Sequence, residues 1–414
     1  EAPDSPVEIK PSNAVLYSDC EYVLYAKKKN DAKRLDGMTW IIDDATIARI
    51  NADGILTTLK AGKFKVTGKT EEGETASTEF IVSPEAANDI FENTSGVISE
   101  YYDYNTDVVF PAKINGTAIK SVSIISFGQK QKIKSITISS GVESIDDNAF
   151  RDSKVLENID IPPTVTSIGK HAFDDCRNLK SIVIPSGVTR ISESAFESCR
   201  SLESVVIPST VVDIGKSAFK DCRSLKTIGI PSAVTNIGES AFEHCESLKN
   251  FSIPSAVTDI SERIFFKCKI LESISIPSGV TSIGKNAFYQ CVRLKCIVIP
   301  SSVVKIGESA FEHCESLKNF SIPSSVTDIS EHMFSKCKSF ESISIPSGVT
   351  NIGNNAFDQC VSLKSIEIPS GVKIISRCTF EGCSSLEIIN IPSTITAIER
   401  NVSPPTIMIT EYPD

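Results

Sequence analysis

The stretch LKSIVIPSGVTRISESAFESC, residues 179–199, recurs along the chain with a fixed step of 23 residues. Phenylalanine falls at every twenty-third place from Phe150 to Phe380, and proline from Pro162 to Pro392, eleven of each with no place skipped. A period of this size without insertions is the signature of a solenoid, in which each coil buries its apolar side against the next. Within one coil, Ile182 and Ile184 alternate with Ser181 and Val183, which predicts a strand with one face inward. Pro185 ends that strand because it has no N–H to give to a ladder running from coil to coil. Ser186-Gly187 turns the chain, and Val188 and Ile191 point inward across a second short extended stretch. Ile191, Ala195, Cys199 and Leu202 then form one apolar stripe, which predicts a short helical or 3₁₀ segment.

The motif L-x-x-I-x-I-P-S-x-V-x-x-I-G-x-x-A-F-x-x-C resembles the leucine-rich repeat in the 23-residue form of the BspA-like bacterial surface proteins. The likeness runs from Ile133 to Ile398. One segment is duplicated almost verbatim: IGESAFEHCESLKNFSIPS occupies 237–255 and again 306–324, an offset of three coils.

The 414 residues, with 41% apolar and 23% charged content, suffice for a large core, which the repeat lays out as a line of modules. A formal charge of −10 with no block of Lys or Arg argues against a nucleic-acid partner. No run of 18 apolar residues is present, so no transmembrane segment is expected. The chain opens at Glu1 with no signal peptide, which fits either a cytosolic protein or one numbered after export processing, and the family resemblance favours export, extracellular or at a bacterial cell surface. Of thirteen cysteines, ten fall on the 23-residue step from Cys176 to Cys383. A position repeated in this way is a packing position, where a small thiol fits between neighbouring elements. Coils about 4.8 Å apart lie within disulfide range, yet parallel Cβ atoms at that spacing are farther apart than a relaxed bridge wants, so the row reads as a buried ladder of free thiols. Zinc is disfavoured because its ligands come as clustered pairs, and the only close pairs here are Cys291/Cys296 and Cys378/Cys383.

Residues 1–84 do not follow the repeat. Val7-Glu8-Ile9, Tyr22 to Tyr25, Trp40-Ile41-Ile42, Phe64-Lys65-Val66 and Phe80-Ile81-Val82 read as short strands of a sandwich, with Trp40 expected in its core. The run from Thr39-Trp40 through Asp53-Gly54-Ile55-Leu56-Thr57 and Ala61-Gly62 to Val66 is similar to the bacterial group 2 immunoglobulin-like domains, departing at Asp19-Cys20, where that family carries a turn glycine. The expected architecture is an N-terminal all-β immunoglobulin-like sandwich over 1–84, then a linker and N-terminal cap over 85–129. A leucine-rich-repeat solenoid of short parallel strands and short helical segments, with its own C-terminal cap, fills 130–414. Ser83-Pro84-Glu85 reads as the linker. Phe127 stands one step before Phe150, Ser403 where the next phenylalanine is due, and Ile407-Met408-Ile409 as a last strand. Tyr101, Tyr102 and Tyr104 either pack in the cap or form an exposed patch.

Residues fixed by coil packing recur everywhere and cannot form a single active site. The four histidines, His171, His244, His313 and His332, are expected to face solvent on the convex side. Asp43-Asp44 and Asp146-Asp147 read as solvated turns, and no nucleophile elbow, zinc-helix or phosphate-loop motif is present. No catalytic residue, cofactor or metal is expected. What remains is surface: the outward place between the strand isoleucines carries Val183, Val206, Ser252, Ser275, Val298, Ser321 and Ser344, within a row that also holds Asp160, Gly229, Glu367 and Asn390. Such small side chains let a partner approach the backbone, although Trp, Tyr and Arg anchors are missing from the row. The family resemblance implies a non-enzymatic binding protein that adheres to host or other-cell proteins. A surface spacer or scaffold, and a glycan-binding module, are the rival readings.

Overall fold

The computed structural model describes residues 6–29, 34–123, 132–402 and 408–412. Phe127, Ser403 and Ile407 lie outside these residues. The repeat winds as a β-solenoid of about 13 turns, and the chain divides into two compact units, Glu1–Thr189 and Arg190–Asp414.

In the second unit several coils open with a strand of three residues, among them Asn250–Ser252, Ser273–Ser275 and Cys296–Val298. These pair in parallel and in register: Asn250 with Ser273, Phe251 with Ile274, Ser252 with Ser275. The proline that follows stops the ladder. A tight turn closed by Val257 N–H to the Pro254 carbonyl at 3.1 Å then leads to a second strand of two residues, Asp259–Ile260, which pairs with Ser282–Ile283. Inside, the phenylalanine rings from Phe196 to Phe380 stack face to face, with centroids 5.3 to 6.0 Å apart. The spacing is near that of the strands, so one ring per coil fills the axis without a gap. The C-terminal strand Met408–Tyr412 pairs in parallel with Ile388–Pro392, as expected of its Met408-Ile409 portion.

The expected helical segments are not formed. Across Ile191–Leu202 the chain is a run of turns, in which the N–H groups alternate between two kinds of partner. Those of Ala195, Glu197 and Cys199 reach back three residues, to Ser192, Ser194 and Phe196, while those of Ser194, Phe196 and Ser198 cross to the next coil, to Lys216, Ala218 and Lys220. The cause is backbone conformation. Ser194 (φ 51) and Ser198 (φ 59) are left-handed, and so are their equivalents in the other described coils, among them Asn286, Gln290, Ser309 and His313. Two such residues four apart break any helix, and the N–H groups this frees are satisfied along the solenoid instead.

In the first unit, residues 6–29 and 34–86 form strands that pair antiparallel, except that Val15–Ser18 runs parallel to Thr75–Ala86. The strand Thr75–Ala86 pairs with Gly62–Lys69, and Thr39–Ile42 lies on the far side of the latter. Leu16, Tyr22, Leu56, Val66 and Phe80 are fully buried between the sheets. Asp19 (φ 58) adopts the left-handed turn that a glycine would take at this place. Trp40, expected in the core, is half-buried on the edge strand, its ring covering Gly68. Ser83-Pro84-Glu85, read as a linker, lies inside the strand Thr75–Ala86, which bulges between Val82 and Ala86 yet goes on to pair with Ser18. A further sheet joins Cys20–Val23 to Lys113–Ile114, so residues 6–29 share hydrogen bonds with the region that leads into the coils. Among the described residues the one α-helix is Ala87–Ile90.

Candidate functional site

The outward row follows from strand alternation: Ile182, Ile274 and Ile297 are buried, so the residues after them point out. All seven row residues, Val183, Val206, Ser252, Ser275, Val298, Ser321 and Ser344, are exposed. Val298 is the most exposed of the three valines in the row, at 77%. Val183 belongs to the first unit and the other six to the second. Ser252, Ser275 and Val298 are direct register partners and make one continuous patch. Ser321 and Ser344 meet through an isolated bridge only. Val206 is not laddered to Ser252, because the coil between them, Thr227–Gly229, forms no strand.

One border of this face is charged and self-paired. Lys226 bonds Glu203 at 2.8 Å, and Glu272 takes both Lys249 at 3.5 Å and Lys295 at 3.2 Å. The Lys295 hydrogen bond holds the Glu272 carboxyl below its usual range. The face itself carries little charge, so its recognition chemistry is that of hydroxyls and a few methyls. Where pairing loosens, around Ser342 and Ser365, the face sinks into an open groove of about 860 Å³ lined by Ser344, Ser347, Glu367 and Asn390.

The thiol row is buried, with no disulfide formed along it. Cys268 donates its Sγ–H to the Phe242 carbonyl at 3.2 Å and Cys291 to that of Phe265 at 3.2 Å, a contact repeated along the row. Burial pushes these thiols up, Cys383 to about 12. Cys296 alone among the thirteen cysteines is exposed, in the strand that also carries Val298. The histidines differ from expectation. All four are half-buried and occupy left-handed places in the turns. Burial, reinforced by Lys267, lowers the His244 pKa, and burial with Lys336 does the same for His313. The acidic pairs act as turn caps: Asp44 accepts from the N–H and hydroxyl of Thr46 at 2.9 and 2.6 Å, and Asp147 from Lys170 N–H at 2.6 Å. No cluster able to hold a metal ion exists among the described residues, and no helix of theirs is long and apolar enough to cross a membrane.

One feature escapes sequence reasoning. Phe266 and Tyr289 stack at 4.7 Å on the turn side, with the Arg263 guanidinium 4.0 Å over Phe266 and held by Glu243 at 2.8 and 3.0 Å. The signal is legible afterwards: neighbouring coils carry Glu243 and Glu312 at that place. The tyrosines of the 101–104 run divide between the two roles considered for them. Tyr101 is buried beside Tyr17, while Tyr102 and Tyr104 are 49% and 67% exposed.

A family model described as a BspA type leucine-rich repeat region of six copies matches residues 120–249, 189–318, 235–361 and 304–403, more than half of the chain. The fold is similar to that of a leucine-rich repeat protein from Bacteroides ovatus, at 26% identity over 78% of this chain and 97% of that one, with a TM-score of 0.64. A leucine-rich repeat protein from Eubacterium ventriosum shares the fold at 23% identity, over 91% of this chain and 97% of that one, with a TM-score of 0.53. A leucine rich cell surface protein from Faecalibacterium prausnitzii is 27% identical over 73% of this chain and 89% of that one, with a TM-score of 0.46. No curated protein matches the chain.

Proposed function

Because the chain belongs to the BspA-type leucine-rich repeat family, we propose that it is a non-enzymatic binding protein, secreted or held at a bacterial cell surface, whose sheet face adheres to a protein of the host or of another cell. The observation that carries this reading is the exposed patch of Ser252, Ser275 and Val298. Its backbone is approachable, its border charges are already paired, and the Val298 side chain offers apolar area with no partner inside its own sheet. In the same reading residues 1–84 are a bacterial immunoglobulin-like domain of group 2, residues 85–129 a cap, and residues 130–414 the binding solenoid. The two facing sheets of short strands, paired antiparallel apart from Val15–Ser18, and the left-handed Asp19 support the first assignment. A glycan ligand is disfavoured because the outward row presents no aromatic platform.

The test is a binding screen of the full chain against extracellular-matrix proteins, mucins and glycans, followed by Val206→Asp. Saturable binding to one protein, weakened by Val206→Asp with stability kept within about 0.5 kcal/mol, is expected. Silence across the panel would favour the spacer reading, and retained affinity in Val206→Asp would move the site away from that part of the face.

A further inference from the structure

The first unit shows what the sheet face holds when it is occupied. Asp160, the outward residue of its strand, accepts a hydrogen bond from the Tyr25 hydroxyl. Ser140 Oγ accepts from Arg34 Nη1 at 3.1 Å, and the Arg34 guanidinium lies 3.7 Å over the Tyr25 ring. Tyr25 and Arg34 stand on paired strands, Tyr25–Lys28 and Arg34–Leu35, and reach the face as one stacked unit. Stacking fixes the guanidinium plane, so both donors arrive with little freedom left to lose.

The repeat carries this pair of acceptors to a second place. Nine 23-residue coils beyond Ser140 and Asp160 stand Ser347 and Glu367. A serine at the first position is common, but a carboxylate at the second is not: in the whole outward row only Asp160 and Glu367 are acidic. Both Ser347 and Glu367 line the open groove, and both are exposed. The nearest lysine of that coil, Lys364, is bonded to Glu341 at 3.3 Å, while Glu367 has no side-chain hydrogen bond or ion pair among the described residues. The groove thus offers an uncompensated carboxylate and a hydroxyl at the two repeat positions that bind a tyrosine and an arginine in the first unit.

We propose that the Glu367–Ser347 groove is the docking site for a tyrosine–arginine pair on a basic segment of another protein, the phenol donating to the Glu367 carboxylate and the guanidinium to the Ser347 hydroxyl. The proposal rests on the sheet face being the binding face and names the partner chemistry of one part of it. A folded second copy of this chain cannot supply the pair, because its own Tyr25 and Arg34 are engaged. Glu367 is one methylene longer than Asp160, so the incoming pair sits slightly farther out.

The experiment titrates the full chain with the synthetic peptide YAKKKNDAKRL, which is residues 25–35 and carries the pair, and follows fluorescence anisotropy. Saturable binding is expected, weakened about tenfold by Glu367→Gln through loss of a charge-assisted hydrogen bond. Replacing the peptide tyrosine by phenylalanine should cost about as much on the native chain and little more on Glu367→Gln, the non-additivity that marks a direct contact. Glu387→Gln, which removes a charge one coil away and outside the groove, should leave affinity within about twofold. The assignment is overturned if the peptide does not saturate, if Glu387→Gln weakens binding as much as Glu367→Gln, or if the two losses simply add. A protein partner lost on Val206→Asp but kept on Glu367→Gln would leave the sheet-face reading standing and remove this groove from it.

Discussion

Phe288→Ala removes a wholly buried ring stacked between Phe265 at 5.6 Å and Phe311 at 5.3 Å. Truncating a buried phenylalanine costs about 3–5 kcal/mol, lost transfer energy and residual cavity together. Two ring contacts of about 0.5–1.5 kcal/mol each, beyond area burial, place this site toward the upper end. Phe219 sits in equivalent surroundings, between Phe196 at 5.4 Å and Phe242 at 5.5 Å, so Phe219→Ala should cost about the same. In a solenoid each coil contacts only its neighbours, and the loss should therefore be local at first. Hydrogen exchange read by mass spectrometry checks both points. Amides of the coils holding Phe265, Phe288 and Phe311 should lose roughly a thousandfold in protection, about 4 kcal/mol at 1.4 kcal/mol per decade, while the coils of Phe357 and Phe380 stay close to the native chain. A cost below about 2 kcal/mol, or a uniform loss of protection along the whole array, would refute the account of ring stacking and modular cooperativity.

Two other perturbations probe the buried polar groups. The Cys383 thiol is raised to about 12 by burial against about 8.5 in an unfolded chain. Its protonated form therefore favours the folded state at neutral pH, and that stability declines as pH rises above about 8.5. Denaturant melts from pH 7 to 10 should show the decline, reduced in Cys383→Ser, and a flat profile would contradict it. Tyr17 donates to Asp103 Oδ2 at 2.5 Å from a buried position, so Tyr17→Phe should destabilise the first unit by about 1.5–3 kcal/mol. An unchanged melting temperature would mean that the bond adds nothing.

The period, the inward phenylalanine row, the thiol packing and the outward face were legible in the sequence because each follows from spacing alone. The turn run was not. Ile191, Ala195 and Cys199 at intervals of four fit a helix stripe, and they equally fit successive turns with a left-handed residue at every fourth place. The residues at those places, including Asn148, Asp152, His171, Asp175 and Ser194, held the answer. They are small or polar and never β-branched, as left-handed backbone requires. Trp40 was misplaced because hydrophobic size says nothing about an edge strand, where Gly68 gives the ring a half-covered seat. Ser83-Pro84 looked like punctuation, yet proline is tolerated where a strand bulges. The groove at Glu367 depends on loosened pairing between coils, which no single coil reveals.

Cys296 gives direct access to partner binding on the sheet face. This thiol is exposed on the face, while the ten cysteines of the repeat row are buried. Brief treatment of the native chain with a bulky maleimide should modify Cys296 first, located by mass spectrometry. The measurement is the affinity of the fully Cys296-modified chain for the protein partner found in the binding screen, together with the maleimide reactivity of Cys296 in the preformed complex. The account predicts that the adduct weakens binding at least about tenfold, since one blocked central contact costs 1.4 kcal/mol or more, and that the bound partner shields the thiol. Native affinity with the adduct in place, together with undiminished reactivity in the complex, would contradict it.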